Sequence, residues 1–178
     1  TRFMGELATP LSSRVLGAIV PSETSATARR AAGIGVLDLI RVDRMRVHID
    51  GSKEIDSRVA LIKRSGASLT RGKLSTAQGE LLCVSSFVEA ADRLDAFSFS
   101  RGSITVAAQF FAVESLNHPV PLVATDVVSD NGSATLDAAV LCFGGPVALE
   151  SELNHWPGMV CNGVVGRRHA DVCSTALP

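Results

Sequence analysis

Acidic and basic side chains are concentrated in the segment VHIDGSKEID, residues 47–56. Asp50 and Glu54 could face a polar ligand there, because carboxylates accept hydrogen bonds from hydroxyl groups and can accept protons. Gly51 would let the backbone turn sharply beneath such a ligand. An Asp-Gly pair after an alternating run is also an ordinary turn, so the residues alone leave an active-site strand end and a simple turn both open.

A lysine followed by small residues marks the segment KRSGAS, residues 63–68. If a helix begins there, its free backbone N–H groups and its dipole favour an anion such as a phosphate. Lys63 lacks the full spacing of a nucleotide-binding P-loop. Taken alone, a lysine of this kind is more often an ordinary solvated surface residue, so only its combination with Asp50 indicates a site.

Strands and helices alternate along the first half of the chain. Residues 1–11 predict a helix, and so do the residues between an N-cap at Ser22 or Thr24 and Gly33. Further helices are predicted over 65–78 and 87–94. Apolar or alternating runs predict strands over residues 15–20, 36–40, 46–49 and 80–85. The fold class is therefore α/β, with a mainly parallel, Rossmann-like sheet flanked by helices, and ligands of such sheets collect beyond the carboxyl ends of the strands.

The composition changes near Phe97. A strand over 103–108, a helix over 109–116 and two strands over 122–128 and 134–139 follow, and Asn131-Gly132 between the last two indicates a hairpin. Residues 98–140 therefore predict a small α+β subdomain inserted into a main domain of residues 1–97 and 141–178. A helix from Pro146 and two apolar runs, 159–165 and 170–176, are expected to rejoin the main sheet.

Composition bounds the class of protein. With 178 residues, 46% of them hydrophobic and 20% charged, the chain can bury a substantial core. A net charge of −1 counts against nucleic acid or an anionic membrane as a partner. No apolar run approaches the roughly 18 residues of a membrane span, and no charged-then-apolar leader opens the sequence, so we expect a cytoplasmic protein.

Cysteine and histidine spacing gives no metal signature. The four cysteines are far apart and lie in apolar segments, which favours small buried hydrophobic residues over a disulfide or a metal role. The four histidines show no i, i+4 pair. No metal site is predicted.

Read in order, VHIDGSKEID, LIKRSGASLTRGK, SDNGSATLD and HWPGMVCNGVVGRRHADV resemble the motifs of the type A family of ribose-5-phosphate isomerases. The corresponding family stretches are I-D-G-A-D-E-I-D, I-K-G-G-G-G-A-L-x-R-E-K, T-D-N-G-N-x-I-L-D and I-P-G-V-V-x-x-G-L-F. The resemblance implies interconversion of ribose 5-phosphate and ribulose 5-phosphate through an enediol, without metal or organic cofactor. It also implies a phosphorylated pentose as ligand and a homodimer or homotetramer.

The resemblance carries roles onto individual residues. Asp50 matches the family's first active-site aspartate and Lys63 its lysine, which makes these two the candidate catalytic residues. The candidate substrate contacts that it implies are Gly51, Ser52, Lys53, Arg64, Ser65 and Gly66. In the family a carboxylate base moves the proton between C2 and C1, and a lysine and acidic side chains hold the sugar oxygens.

Several positions depart from the family pattern. Gly72 stands where the family has its general-base glutamate, and Lys53 replaces the second aspartate of the acidic loop. Arg64 and Ser65 replace glycines of the anion loop, while Glu89 replaces a phosphate-side lysine. The family's first strand and its G-T-G-S-T loop have no counterpart, since TRFMGELA at the start resembles the helix that follows that loop.

Three functional hypotheses follow from the match and its departures. The chain is an isomerase with an unconventional base, a catalytically silent relative that still binds a sugar phosphate, or a diverged or truncated product without a ligand. The Gly72 and Lys53 substitutions favour impaired or lost catalysis, as in a pseudoenzyme. An unrelated nucleotide-binding α/β domain is the outsider, and the absence of G-x-G-x-x-G after a strand counts against it.

Overall fold

The structure, a computed structural model of the chain, describes residues 15–20, 22–52, 54–63, 68–86, 101–106, 122–129, 131–139 and 145–176. The chain divides into two compact units, Thr1–Met45 and Arg46–Pro178. Within the described ranges, no helix has the length and apolar character needed to cross a membrane.

The first unit contains a short parallel strand pair and one helix. Its elements are β1 (Ala18–Ile19), α1 (Glu23–Ala31) and β2 (Val36–Leu37). Ser22 is the N-cap, as predicted, and its hydroxyl accepts a hydrogen bond from the Ser25 N–H at 3.2 Å. Gly33 follows the helix with φ of +73°, a conformation that glycine adopts without strain.

The predicted strand over 36–40 is wrong in its second half. Leu39–Arg41 forms a 3-10 turn instead. The cause is local, because the Asp38 carboxylate accepts a hydrogen bond from the Ile40 N–H at 3.3 Å and turns the chain out of the extended conformation.

The second unit contains ten strands and two helices among its described residues. The helices are α2 (Leu69–Thr76) and α3 (Pro146–Asn154). The strands are β3 (Val47–Gly51), β4 (Glu54–Ile55), β5 (Leu61–Ile62), β6 (Glu80–Ser86), β7 (Arg101–Val106), β8 (Leu122–Val128), β9 (Ala134–Ala139), β10 (Met159–Asn162), β11 (Val164–Val165) and β12 (Val172–Ala176).

Three sheets are formed by these strands. One is parallel, in the order β12-β6-β3, and carries the segment that contains Asp50. A second, in the order β11-β5-β4, is antiparallel and carries the strand before Lys63. The third, in the order β10-β7-β9-β8, is antiparallel and contains the predicted hairpin, with Gly132 at φ of +78° in its turn.

The run over 159–165 does not rejoin the parallel sheet, so that prediction is wrong. The run is interrupted at Gly163, whose carbonyl accepts a hydrogen bond from the Lys63 N–H at 2.8 Å. Its first half, β10, pairs with β7, and its second half, β11, pairs with β5. The last run does rejoin the parallel sheet, as predicted, because β12 pairs with β6.

A small hydrophobic cluster joins the parallel sheet to the β11-β5-β4 sheet. Its buried members are Ile55, Leu61, Leu81, Cys83, Val165 and Ala170. Because both sheets contribute to one cluster, β6 of the parallel sheet packs against β4, β5 and β11. The helices predicted over 1–11, 87–94 and 109–116 lie outside the described residues, and the division of the chain at residues 97 and 140 stays a prediction.

Candidate active site

The side chains of Asp50 and Lys63 are in contact, although the two residues belong to strands of different sheets or follow them directly. Asp50 is the fourth residue of β3, and Lys63 comes directly after β5. The Lys63 Nζ forms an ion pair and a hydrogen bond with Asp50 Oδ2. The side chain of Lys63 is only 10% exposed and that of Asp50 34% exposed, so Lys63 is not a solvated surface lysine.

His48 is a second partner of the same carboxylate oxygen. Its Nε2 lies 3.2 Å from Asp50 Oδ2, and its side chain is 11% exposed. Side chains two residues apart in a strand point to the same face, which is why His48 and Asp50 meet along β3. His48 was not predicted as a site residue, although the alternation of VHIDG places it on the same face of the strand as Asp50.

The surroundings of Asp50 favour its charged form. Burial by itself raises the pKa of Asp50, but the hydrogen bond with His48 and the charge and hydrogen bond of Lys63 lower it more. The net result is a pKa lowered from 3.8 to about 2. Asp50 is therefore an anion at neutral pH and a weak proton acceptor.

Gly51, the last residue of β3, and Ser52 follow Asp50 directly. The Gly51 N–H donates to Asp50 Oδ1 at 2.8 Å, which fixes the second carboxylate oxygen. The Cys83 thiol of β6 lies in register beside Asp50 and donates to the Ser52 hydroxyl at 3.4 Å. Burial raises the pKa of Cys83 to about 11, so this thiol is not a nucleophile at neutral pH.

Gly72 of α2 faces the ion pair. A Cβ atom built on Gly72 would lie 3.7 Å from Asp50 Oδ2 and 3.7 Å from Lys63 Nζ, at ordinary van der Waals distance from both. A side chain at this position would therefore project onto the Asp50–Lys63 pair. Gly72 is buried and lies in a helix, where a glycine is not required by the backbone conformation.

Lys73, the next residue, fastens α2 to the rest of the unit. Its Nζ forms a 2.7 Å ion pair with Glu150 Oε1 of α3 and donates to the carbonyl oxygen of Val164 at 2.5 Å. Glu150 Oε2 accepts from the N–H groups of Gly166 and Arg167 at 2.8 and 2.7 Å. The network around Lys73 was not predicted from the sequence, in which Lys73 was noted only as the last residue of the LIKRSGASLTRGK motif.

The buried polar side chains of this network, Glu150 and Asn162, have hydrogen-bond partners. Asn162, which is 0% exposed, accepts from Lys73 Nζ at 3.2 Å through its Oδ1 and donates to Asn154 Oδ1 at 2.8 Å. Burial raises the pKa of Glu150, but the Lys73 hydrogen bond and the two backbone N–H groups bring it below its ordinary value. The orientation of α2, and with it the direction of residue 72, is fixed by these contacts.

Five residues lie outside the described part of the chain, although the sequence predicted them as substrate contacts or as departures from the family pattern. They are Lys53, Arg64, Ser65, Gly66 and Glu89. The described part of the site therefore consists of Asp50 with the following Gly51 and Ser52, together with His48, Lys63 and the face of α2 that carries Gly72.

Comparison with known proteins gives the family. The family model described as Ribose 5-phosphate isomerase A (phosphoriboisomerase A) matches residues 17–176. The chain belongs to this family. It is also 37% identical over 171 residues to a ribose-5-phosphate isomerase A of Leptothrix cholodnii, which covers 94% of this chain and 78% of the relative.

Solved structures of ribose-5-phosphate isomerases share the fold. A ribose 5-phosphate isomerase A of Neisseria gonorrhoeae matches with a TM-score of 0.86 and 20% identity, over 97% of this chain and 80% of that chain. A D-ribose-5-phosphate isomerase in complex with phospho-erythronic acid matches with a TM-score of 0.86 and 24% identity, over the same shares. The α/β, Rossmann-like fold expected from the sequence is confirmed.

Proposed function

We propose that this member of the ribose-5-phosphate isomerase A family binds a phosphorylated pentose but has impaired or lost isomerisation of ribose 5-phosphate and ribulose 5-phosphate. One observation carries the proposal. A buried Lys63 forms an ion pair with the partly exposed Asp50, and the helix residue that faces the pair is Gly72, which has no side chain to take a proton.

The retained pair supports binding. Lys63 supplies a positive charge and hydrogen-bond donors in a site with little exposure to water, where such groups interact more strongly with a developing oxyanion or a sugar oxygen. The Asp50 carboxylate accepts hydrogen bonds from sugar hydroxyls. Gly51, Ser52, Lys53, Arg64, Ser65 and Gly66 are proposed to complete the contacts, as the resemblance implies.

The missing side chain supports impaired chemistry. Isomerisation requires a proton to leave C2 and reach C1, and a positioned base contributes roughly 100- to 10,000-fold to such a step. The family's glutamate corresponds to Gly72, and Asp50, with a pKa of about 2, is too weakly basic to replace it. A purely non-catalytic sugar-phosphate-binding protein is the alternative, and the same low pKa favours it.

Binding and turnover are tested separately. Phospho-erythronic acid, which cannot isomerise, should raise the melting temperature of the wild-type protein, since a ligand of the folded state stabilises it. The Lys63→Met variant should lose this shift. A flat response in the wild type would overturn the binding proposal.

Turnover is tested with a matched pair of variants. We expect wild-type turnover of ribose 5-phosphate at least about 100-fold below the median enzyme rate of about 10 per second. Gly72→Glu should raise turnover by at least about 10-fold, whereas Gly72→Gln, of the same size but without a proton acceptor, should not. Wild-type turnover close to the median enzyme rate would contradict the proposed loss of isomerase activity.

The quaternary structure is implied only by the resemblance, and the location and the domain division were predicted from the sequence pattern. We propose a homodimer or homotetramer in the cytoplasm, with residues 98–140 as a subdomain inserted between 1–97 and 141–178. Light scattering of the purified chain distinguishes these states from a monomer. A mass of a single chain at micromolar concentration would contradict the oligomer.

A further inference from the structure

The Asp50–His48 contact has a defined direction of proton donation. An ionised carboxylate only accepts hydrogen bonds, and Asp50, with a pKa of about 2, is ionised at neutral pH. The hydrogen between Asp50 Oδ2 and His48 Nε2 is therefore carried by Nε2. In the neutral imidazole the free lone pair is then on Nδ1, which is the atom able to take a proton.

The other described groups around this carboxylate do not accept protons at neutral pH. Lys63 is an ion-paired ammonium with no lone pair. Cys83, in register with Asp50 on β6, has a pKa of about 11 and carries its proton. His48 is the remaining side chain with an ionisable group in contact with Asp50 among the described residues, and a neutral imidazole has a lone pair that can accept a proton.

His48 and a side chain at position 72 would share one neighbour, the Asp50 carboxylate. Asp50 Oδ2 is the common neighbour, 3.2 Å from His48 Nε2 and 3.7 Å from a Cβ built on Gly72. On β6 the residue in register with His48 is the apolar Leu81, which is 0% exposed. Within the described residues, Asp50 forms ion pairs with Lys63 and, when the imidazole is protonated, with His48.

From this geometry we propose that His48, oriented by Asp50, serves as the proton acceptor for the residual isomerisation, in place of the carboxylate absent at Gly72. This proposal rests on the proposed function, and it adds a catalytic residue to it. The role of His48 differs from that of Asp50, which orients the imidazole and stabilises the imidazolium that forms when His48 takes the proton.

The proposed step conserves protons and electrons. His48 Nδ1 takes the proton from C2 of the open-chain aldose, and the C2–H electron pair forms the C1=C2 double bond. The C1=O double bond opens, and its electron pair becomes an oxyanion on O1, which Lys63 stabilises. The imidazolium returns the proton to C1 while the O2 hydroxyl proton moves to O1, which gives the ketose.

The test compares His48→Gln with the wild type. Glutamine can still donate a hydrogen bond to Asp50, but it does not titrate. Turnover of ribose 5-phosphate is followed by NMR at high enzyme concentration, across the range from pH 5 to 9. Wild-type turnover should exceed that of His48→Gln at least about 10-fold over this range. The melting-temperature shift with phospho-erythronic acid should remain.

A second background separates a catalytic from a structural role. In Gly72→Glu the new carboxylate supplies the base, so adding His48→Gln should change turnover less than threefold. An equal loss in both backgrounds would mean that His48 only supports the fold, and it would overturn the proposal. Equal turnover of wild type and His48→Gln, or wild-type turnover no greater than in enzyme-free buffer, would overturn it too. None of these results affects the binding proposal, which the melting-temperature shift decides.

Discussion

Lys73 and Glu150 form a 2.7 Å ion pair that joins α2 to α3, one residue away from the position that faces the Asp50 carboxylate. Gly72 and Lys73, which are adjacent in α2, thus have different roles. Lys73 fixes the helix through Glu150 and the carbonyl oxygen of Val164, whereas Gly72 presents only hydrogen to the site. The predictions below separate these contributions.

Replacing Gly72 by alanine should stabilise the fold. Glycine inside a helix costs about 0.5 to 1 kcal/mol relative to alanine, and a Cβ here meets its nearest described neighbours at 3.7 Å, without overlap. The free energy of unfolding in urea should rise by about 0.5 to 1 kcal/mol. Isomerase turnover should stay at the wild-type level, because a methyl group accepts no proton. A loss of stability would mean that the helix has no room beside the ion pair.

Replacing Lys73 by methionine should destabilise the fold by about 3 to 5 kcal/mol, because it leaves the buried Glu150 charge without its partner. Adding Glu150→Gln should recover part of the loss, which a double-mutant cycle measures. The matched control is Arg30→Met in the exposed Arg30–Glu23 pair, which should change stability little. Equal losses in the two single variants would contradict the structural role of Lys73.

Acid should weaken the fold in a defined pH window. The folded-state pKa values of Asp50 and Glu150 both lie below their ordinary values, that of Asp50 at about 2. Groups of this kind stabilise the folded state above their unfolded pKa, about 4, and this stabilisation is lost as the pH falls through the folded value. Urea unfolding between pH 6 and pH 2 should show the decline, and Glu150→Gln should reduce its slope. A free energy of unfolding that is constant over this range would show that the two ion pairs do not stabilise the folded state.

Removing the Lys63 charge should raise the pKa of Asp50. In Lys63→Met the burial that disfavours the carboxylate remains, while the largest favourable charge is gone. The pKa of Asp50, followed by the NMR shift of its carboxyl carbon, should move upward from about 2 by at least one unit. Arg30→Met, which lies in a different unit, is the control and should leave it in place. An unchanged value would show that Lys63 does not contact Asp50 in solution.

Local sequence patterns predicted most of the described elements, because caps, glycines and alternating runs act over a few residues. Ser22 and Gly33 bounded α1, and the hairpin formed around Gly132 as the Asn-Gly pair indicated. Pairing was less predictable, since it depends on distant partners. The split of the run at Gly163 is an example, because it requires the Lys63 N–H, which is far away in sequence.

The site was predictable where a residue type and its spacing both carried information. Asp50 and Lys63 were identified from their motifs, and they meet in the structure. His48 needed one further step, the two-residue period of a strand, and the Lys73–Glu150 pair needed three-dimensional packing that no local pattern contains. The depth at which Lys63 is buried also depends on packing, and a solitary lysine in a sequence does not reveal it.

The bond from Lys73 Nζ to the Val164 carbonyl oxygen anchors the helix at a point that leaves its neighbour unconstrained. A side chain at position 72 can consequently change without breaking the contacts of Lys73, because those contacts are made by the Lys73 side chain itself. An ancestral reactive group can disappear there, or a new one can be installed, with the scaffold undisturbed. Such a position makes this chain a natural host for engineered acid–base chemistry on a sugar phosphate.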